Sequence, residues 1–276
     1  MAYPVVSAPY GLKPVSLIGG QVFAGSTRDY PIQYSYATNI FYGDAVTLAR
    51  GSIVRATVNT TGAVIGVFLG CSYTNPTTKQ KLFAQYWPGG TLAGDAVAIV
   101  TDDPDTVFKA VVCSGTTVVG SVNKAMIGQN MAMIDTAAGN IAAGNSTNAV
   151  LAVVASGAPA TTAALPLRVL DVVRETAVTV SVPSTSTTTT NITIPASPVA
   201  ILAGSDVAFL AANGQLVETG SFVTTAVAVG GTTIALNLAS QVTIPAAAVI
   251  VITQYTEVLA KLNFGISSYY TATAAA

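Results

Sequence analysis

A turn at Gly43-Asp44 leads into the alternating run Ala45-Val46-Thr47-Leu48-Ala49, and a second turn at Arg50-Gly51 leads into Ser52-Ile53-Val54. Glycine supplies the backbone freedom of a tight turn, and alternation sends every second side chain to one face of a strand. The stretch therefore predicts a β-hairpin. The same phrase returns as Ala93-Gly94-Asp95-Ala96-Val97-Ala98-Ile99-Val100. A looser copy, Gly204-Ser205-Asp206-Val207-Ala208-Phe209-Leu210, is closed by Gly214-Gln215-Leu216-Val217. No long stretch carries a clean helical period of apolar residues. The expected class is all-β: a small β-barrel or sandwich core with an inserted second β domain.

Only 8% of the 276 residues are charged, and the net charge is −1. Typical soluble proteins carry about 25% charged residues. A free monomer with so few charges is poorly protected against self-association, which favours a protein that lives in an assembly. The alternative is a stable β monomer with a polar, uncharged skin. No basic stripe exists, so no nucleic-acid partner is expected. The chain has no histidine, which removes His-based triads, most zinc sites and the usual pH switch. Cys71 and Cys113 are too few for a disulfide scaffold and sit in apolar, strand-like runs. They read as buried, reduced thiols. No apolar run reaches the ~18 residues of a membrane helix, so no membrane partner is expected. Met1-Ala2-Tyr3-Pro4 does not open a signal peptide, and the Asn-x-Thr triplets at Asn59, Asn145 and Asn191 read as polar loops.

Three segments differ in texture. Residues 1–36 carry Pro4, Pro9, Pro14 and Pro31 among five tyrosines. That density forbids a helix and suggests an extended N-terminal arm. Such an arm suits lying across a neighbouring subunit, with packing on its own domain as the alternative. Its candidate capsid or subunit contacts are Tyr3, Pro4, Tyr10, Pro14, Tyr30, Tyr34 and Tyr36. Residues 37–176 with 255–276 read as the barrel or sandwich core. Residues 177–254 hold only Asp206 and Glu218 as charges and read as the inserted, outward-facing β domain. Within it, Asn191-Ile192-Thr193-Ile194-Pro195-Ala196 is repeated as Gln241-Val242-Thr243-Ile244-Pro245-Ala246. The runs 167–173 and 257–264 look like neighbouring strands of one sheet, with Arg168 and Arg174 facing Glu257, which would bring the two ends of the insert together.

No catalytic, cofactor or metal site emerges, and the chain does not read as an enzyme. Asp102, Asp103 and Asp105 offer three carboxylates, short of the six or more oxygens calcium needs, so an exposed acidic turn is the simpler reading. Adjacent strand residues point apart, so Asp102 and Asp103 do not form a glycosidase pair. Gly19-Gly20 and Gly25 lack the Lys-Ser/Thr of a phosphate loop. Trp87, beside Phe83 and Tyr86, reads as core.

Four phrases carry a family resemblance: Met1-Ala-Tyr-Pro-Val-Val-Ser-Ala-Pro-Tyr-Gly-Leu-Lys-Pro14, Ala37-Thr-Asn-Ile-Phe-Tyr-Gly-Asp44, Gly66-Val-Phe-Leu-Gly-Cys-Ser-Tyr-Thr-Asn75, and Leu259-Ala-Lys-Leu-Asn-Phe264 with Tyr269-Tyr270. Residues 1–175 with 256–276 resemble virion structural proteins of tailed bacteriophages of aquatic bacteria, cyanophage-like phages among them. The Gly-Asp-x-Val hairpin is similar to that of small head-decoration, or cement, proteins. The resemblance implies a non-enzymatic homotrimer on the outer surface of the capsid, made in the host bacterial cytoplasm. Its partner would be the major capsid protein, and its role to bridge and stabilise capsomers. Residues 177–254 lie outside the resemblance and would be free for host-surface contact. A host-binding knob, fibre or tail structural protein stays open as the alternative. A depolymerase is disfavoured by the shortage of Glu, and a major capsid protein by the lack of a long helix.

Overall fold

The computed structural model describes residues 6–56, 63–114, 118–135, 139–151, 165–183, 191–237 and 248–263. In chain order the strands are β1 (Lys13–Leu17), β2 (Arg28–Pro31), β3 (Ala45–Ala49), β4 (Ser52–Arg55), β5 (Gly66–Thr74), β6 (Lys81–Ala84), β7 (Val97–Thr101), β8 (Thr106–Cys113) and β9 (Asn130–Asp135). They continue as β10 (Asn148–Leu151), β11 (Leu167–Val172), β12 (Val178–Pro183), β13 (Asn191–Thr193), β14 (Asp206–Leu210), β15 (Leu216–Val223), β16 (Thr233–Asn237), β17 (Val249–Gln254) and β18 (Glu257–Leu262). The described residues contain no α-helix, only a 3-10 turn at Lys124–Met126. The fold is all-β.

The first sheet runs β8-β10-β9-β11-β18 and closes where β18 pairs with β8. Closure into a five-stranded barrel leaves no sheet edge among those strands. The β8–β10 pairing is parallel, whereas β18 joins β8 and β11 in antiparallel register. Alternate residues fill the interior, among them Phe108, Met131, Met133, Leu167, Val169, Val258 and Ala260. β1 extends the sheet beside β8. Outside the barrel, Val111, Cys113 and Ala149 are covered by Val6 and Tyr10.

The second sheet runs β2-β7-β5-β3-β4, with β6 also on β5, and curls until Ile32 bridges Ile53. The β3–β4 hairpin is the one predicted from the Gly-Asp phrase. Its turn residues Arg50 and Gly51 both have positive φ, 50° and 77°, the signature of a type I′ turn matched to strand twist. Trp87 is fully buried in this core, edge-on to Tyr73 with ring centroids 5.3 Å apart.

The third sheet, β12-β17-β14-β15-β16-β13, is built wholly from strands between positions 178 and 254 and has its own core around Ile192, Phe209, Ile234 and Ile250. Val178 pairs with Gln254, so the chain enters and leaves this sheet at one point. There it is tied to the barrel. Ser121 donates its N–H to the Ala203 carbonyl and its hydroxyl accepts from the Tyr255 N–H. Gly204 lies so close that a Cβ there would be 2.1 Å from the Ser121 carbonyl oxygen.

Residues 6–36 follow the alternative reading of the N-terminal segment, packing on their own chain: β1 and β2 pair with β8 and β7. Proline forbids a helix but is tolerated at sheet edges, where its missing N–H costs little, and Pro14 and Pro31 lie in these two flanking strands. Residues 37–176 with 255–276 supply the barrel and most of the second sheet. Ala45 and Val67 of the second sheet, with Ala56 and Val64 from its β4–β5 connection, pack into the same apolar cluster as the barrel residues, while the sheet's other face has a core of its own. The first copy of the Ile-Pro phrase pairs as β13 with β16; its second copy at 241–246 and the Thr-rich stretch at 185–190 lie outside the described residues.

Candidate functional site

Two carboxylates, Asp44 and Glu257, are buried in cross-links within the chain. Asp44, fully buried, accepts the Phe41 N–H at 2.8 Å and the Ser146 hydroxyl, and pairs with Arg55 Nε at 3.2 Å. Glu257, 2% exposed, receives the Tyr10 hydroxyl and Lys109 Nζ, the latter at 3.0 Å. Burial pushes the Glu257 carboxyl up, but the Tyr10 hydroxyl and the Lys109 ammonium outweigh it and hold the group below its ordinary value. The expected partners of Glu257 were wrong. Arg168 stands opposite Lys261 and donates to the Gly128 carbonyl, and Arg174 pairs with Asp171.

The acidic turn is only partly exposed. Asp102 is buried, accepts the Tyr30 hydroxyl at 2.7 Å and pairs with Arg28 at 3.2 Å. Burial, and then that hydrogen bond, push the Tyr30 phenol up to about 12. Asp103 caps the turn through the Asp105 N–H, and Asp105 lies 4.0 Å from Lys261. Among the described residues no group of three or more acidic or thiol side chains is placed to hold a metal ion. Both cysteines are buried thiols, and burial raises Cys71 to about 12 and Cys113 to about 11.

The candidate contact residues fall into different places. Tyr10 seals Glu257, with Lys13 Nζ 4.1 Å above its ring. Pro14 is half-buried beside Phe108. Tyr30 holds Asp102, and the Tyr36 hydroxyl accepts the Arg55 N–H at 3.0 Å. Tyr34 alone of the described five is largely exposed, at 63%. Tyr3 and Pro4 lie outside the described residues. Four of the arm's aromatic and proline side chains thus serve their own fold.

What the arm does present is the connection between β1 and β2. Every residue from 18 to 27 is exposed except half-buried Phe23. Val22 is 82% exposed, and Ile18 and Val15 are 42% and 41% exposed. No charge occurs between Lys13 and Arg28. A two-residue bridge, Ser16 to Val22, and the Ile18 N–H bond to the Asp105 carbonyl anchor the strip at its start. The result is an uncharged, apolar ribbon held between two paired strands. Its sequence signal was the charge-free interval, which aromatic and proline content overshadowed. The chain matches no protein-family model, no curated protein and no solved structure.

Proposed function

We propose that this chain is a structural protein of a bacteriophage virion, a cement protein that decorates the capsid as a homotrimer and bridges neighbouring capsomers. The observation that carries the reading is the exposed, uncharged ribbon of residues 18–27 on a scaffold whose charges are largely engaged internally. Apolar surface of this kind gains about 25 cal/mol per Å2 when covered by a partner. The Ser16–Val22 bridge and the two flanking strands pin the ribbon at its ends, so less ordering entropy opposes binding. Many copies on one particle multiply a modest contact. The phage-family resemblance of residues 1–175 and 256–276 supplies the identity of the partner, the major capsid protein. The third sheet, joined to the barrel at one point, is the part free to face outward toward a host surface.

Light scattering on the purified chain tests the trimer, and Val22→Asp tests the ribbon. The variant is expected to keep its fold by circular dichroism and to lose self-association and particle binding. Gold-labelled antibody against the chain should decorate phage heads in negative stain. Label confined to tails or fibres would overturn the head assignment, and a Val22→Asp protein that binds particles as the parent does would remove the ribbon from the contact.

A further inference from the structure

Lys124, from the barrel side of the joint, faces the outer surface of the third sheet. A cleft of 430 Å3 lies there, lined by Lys124, Ala125, the stretch from Asp206 through Val207 to Ala208, Val251 and Thr253. Asp206 and Thr253 are cross-strand partners, as are Ala208 and Val251. Alternation sends Val207, Phe209, Ile250 and Ile252 into the core and leaves those four partners on the opposite face. One end of the cleft is therefore polar and the other is a flat apolar step.

At the polar end, Lys124 Nζ stands 3.8 Å from Asp206 Oδ2. That separation exceeds a hydrogen bond. An ammonium carries three donors and a carboxylate about four acceptor sites, so a loose pair keeps capacity for a third group. A hydroxyl both donates and accepts, and one placed between the two would satisfy both. The lining carries one positive and one negative charge, so it favours neither a cation nor an anion. The Ala208–Val251 step matches the C–H face of a sugar ring. The volume falls within the roughly 300–1,000 Å3 of small-molecule sites, which favour junctions between domains. The Ser121 N–H bond to the Ala203 carbonyl and the close approach of Gly204 to Ser121 hold the two walls in place. Lys124 Nζ also lies 5.9 Å from the Tyr255 ring centroid.

From this geometry we infer that the joint is a binding site for a neutral saccharide, whose hydroxyls bridge Lys124 and Asp206 while its ring rests on Ala208 and Val251. The inference does not depend on capsid decoration, because the site lies within one chain and shares no residue with the ribbon at 18–27.

Saturation-transfer NMR on the full chain, with glucose, galactose, mannose and N-acetylglucosamine as separate probes, tests it. At least one probe should give transfer from its ring protons at millimolar concentration. Asp206→Ala should weaken that binding by about ten-fold or more, the scale of a lost hydrogen bond to a charged group. Ala208→Phe fills the apolar end without touching the ion pair and should abolish the signal. Unchanged circular dichroism guards against misfolding, and Lys124→Ala, at a largely exposed side chain, supplies a second variant should Asp206→Ala not fold. The inference is overturned if no probe gives transfer, or if transfer persists undiminished in Ala208→Phe. Glycine zwitterion, run as a competitor, should leave the signal intact. Displacement by glycine would show an amino-acid site instead and overturn the saccharide assignment.

Discussion

Asp44→Ala is expected to be among the most damaging single changes in the second sheet. The side chain is fully buried and serves the Phe41 N–H, the Ser146 hydroxyl and the Arg55 guanidinium at once. Removing one member of a buried pair costs about 3–5 kcal/mol, and each buried donor left unsatisfied costs about 1–3 kcal/mol. The terms overlap, because one cavity and one rearrangement serve them all. Arg55 keeps 13% exposure of its side chain, which lets water reach it and favours the lower end, about 3 kcal/mol. At a urea m-value of about 2 kcal/mol/M, the midpoint should fall by about 1.5 M.

Trp87 gives the assay. It is the one tryptophan of the chain, is fully buried and exchanges backbone hydrogen bonds with Ile40 beside the Asp44 turn. Its fluorescence in a urea series reports on the unit in question. Arg55→Ala combined with Asp44→Ala should cost less than the sum of the two single changes, by about 1–2 kcal/mol, because the stranded cation is gone. Asp95→Ala is the control: the same phrase places Asp95 at the surface with Thr74 and Lys81, and the midpoint should not move. A shift below about 0.5 M for Asp44→Ala, corresponding to about 1 kcal/mol, or strict additivity with Arg55→Ala, would refute the view of Asp44 as a buried cross-link.

Gly204 has φ +85° and no room for a Cβ against Ser121, so Gly204→Ala should destabilise by more than ~1 kcal/mol. Amide exchange should then quicken at Ser121, whose N–H bonds Ala203; unchanged exchange there would argue against a fixed joint. The Glu257 carboxyl is held below its ordinary value of 4.5, so its stabilisation is present above that pH and is lost as pH falls through the lowered folded value. Tyr10→Phe removes one of the bonds that lower it, and acid unfolding followed by circular dichroism should begin at higher pH than in the parent; coincident curves would count against the Tyr10–Glu257 bond. Cys71 and Cys113 should react with Ellman's reagent at neutral pH only as the chain unfolds, since burial suppresses both thiolates. Immediate reaction in the native protein would contradict their placement.

Features set by neighbouring residues were legible in the sequence. Alternation and turn glycines marked the all-β class and the β3–β4 hairpin, because the period of a strand and the φ of a tight turn are properties of a few consecutive residues. The burial of Trp87 and of both thiols followed from apolar surroundings. Three copies of one Gly-Asp phrase, however, met three fates. Asp44 became a buried cross-link, Asp95 a surface pair with Lys81, and Asp206 the wall of a cleft. Nothing in the phrase distinguishes them, since the difference lies in what other strands bring: Arg55 and Ser146 to the first, Lys124 to the third. Glu257 likewise takes its partners from positions 10 and 109, a choice made when β18 closes the barrel against β8. The prolines of β1 and β2 limited local conformation without saying which strand each would join. Strand pairing over such separations is decided by which apolar faces can be buried together, and that sum is taken over the whole folded chain.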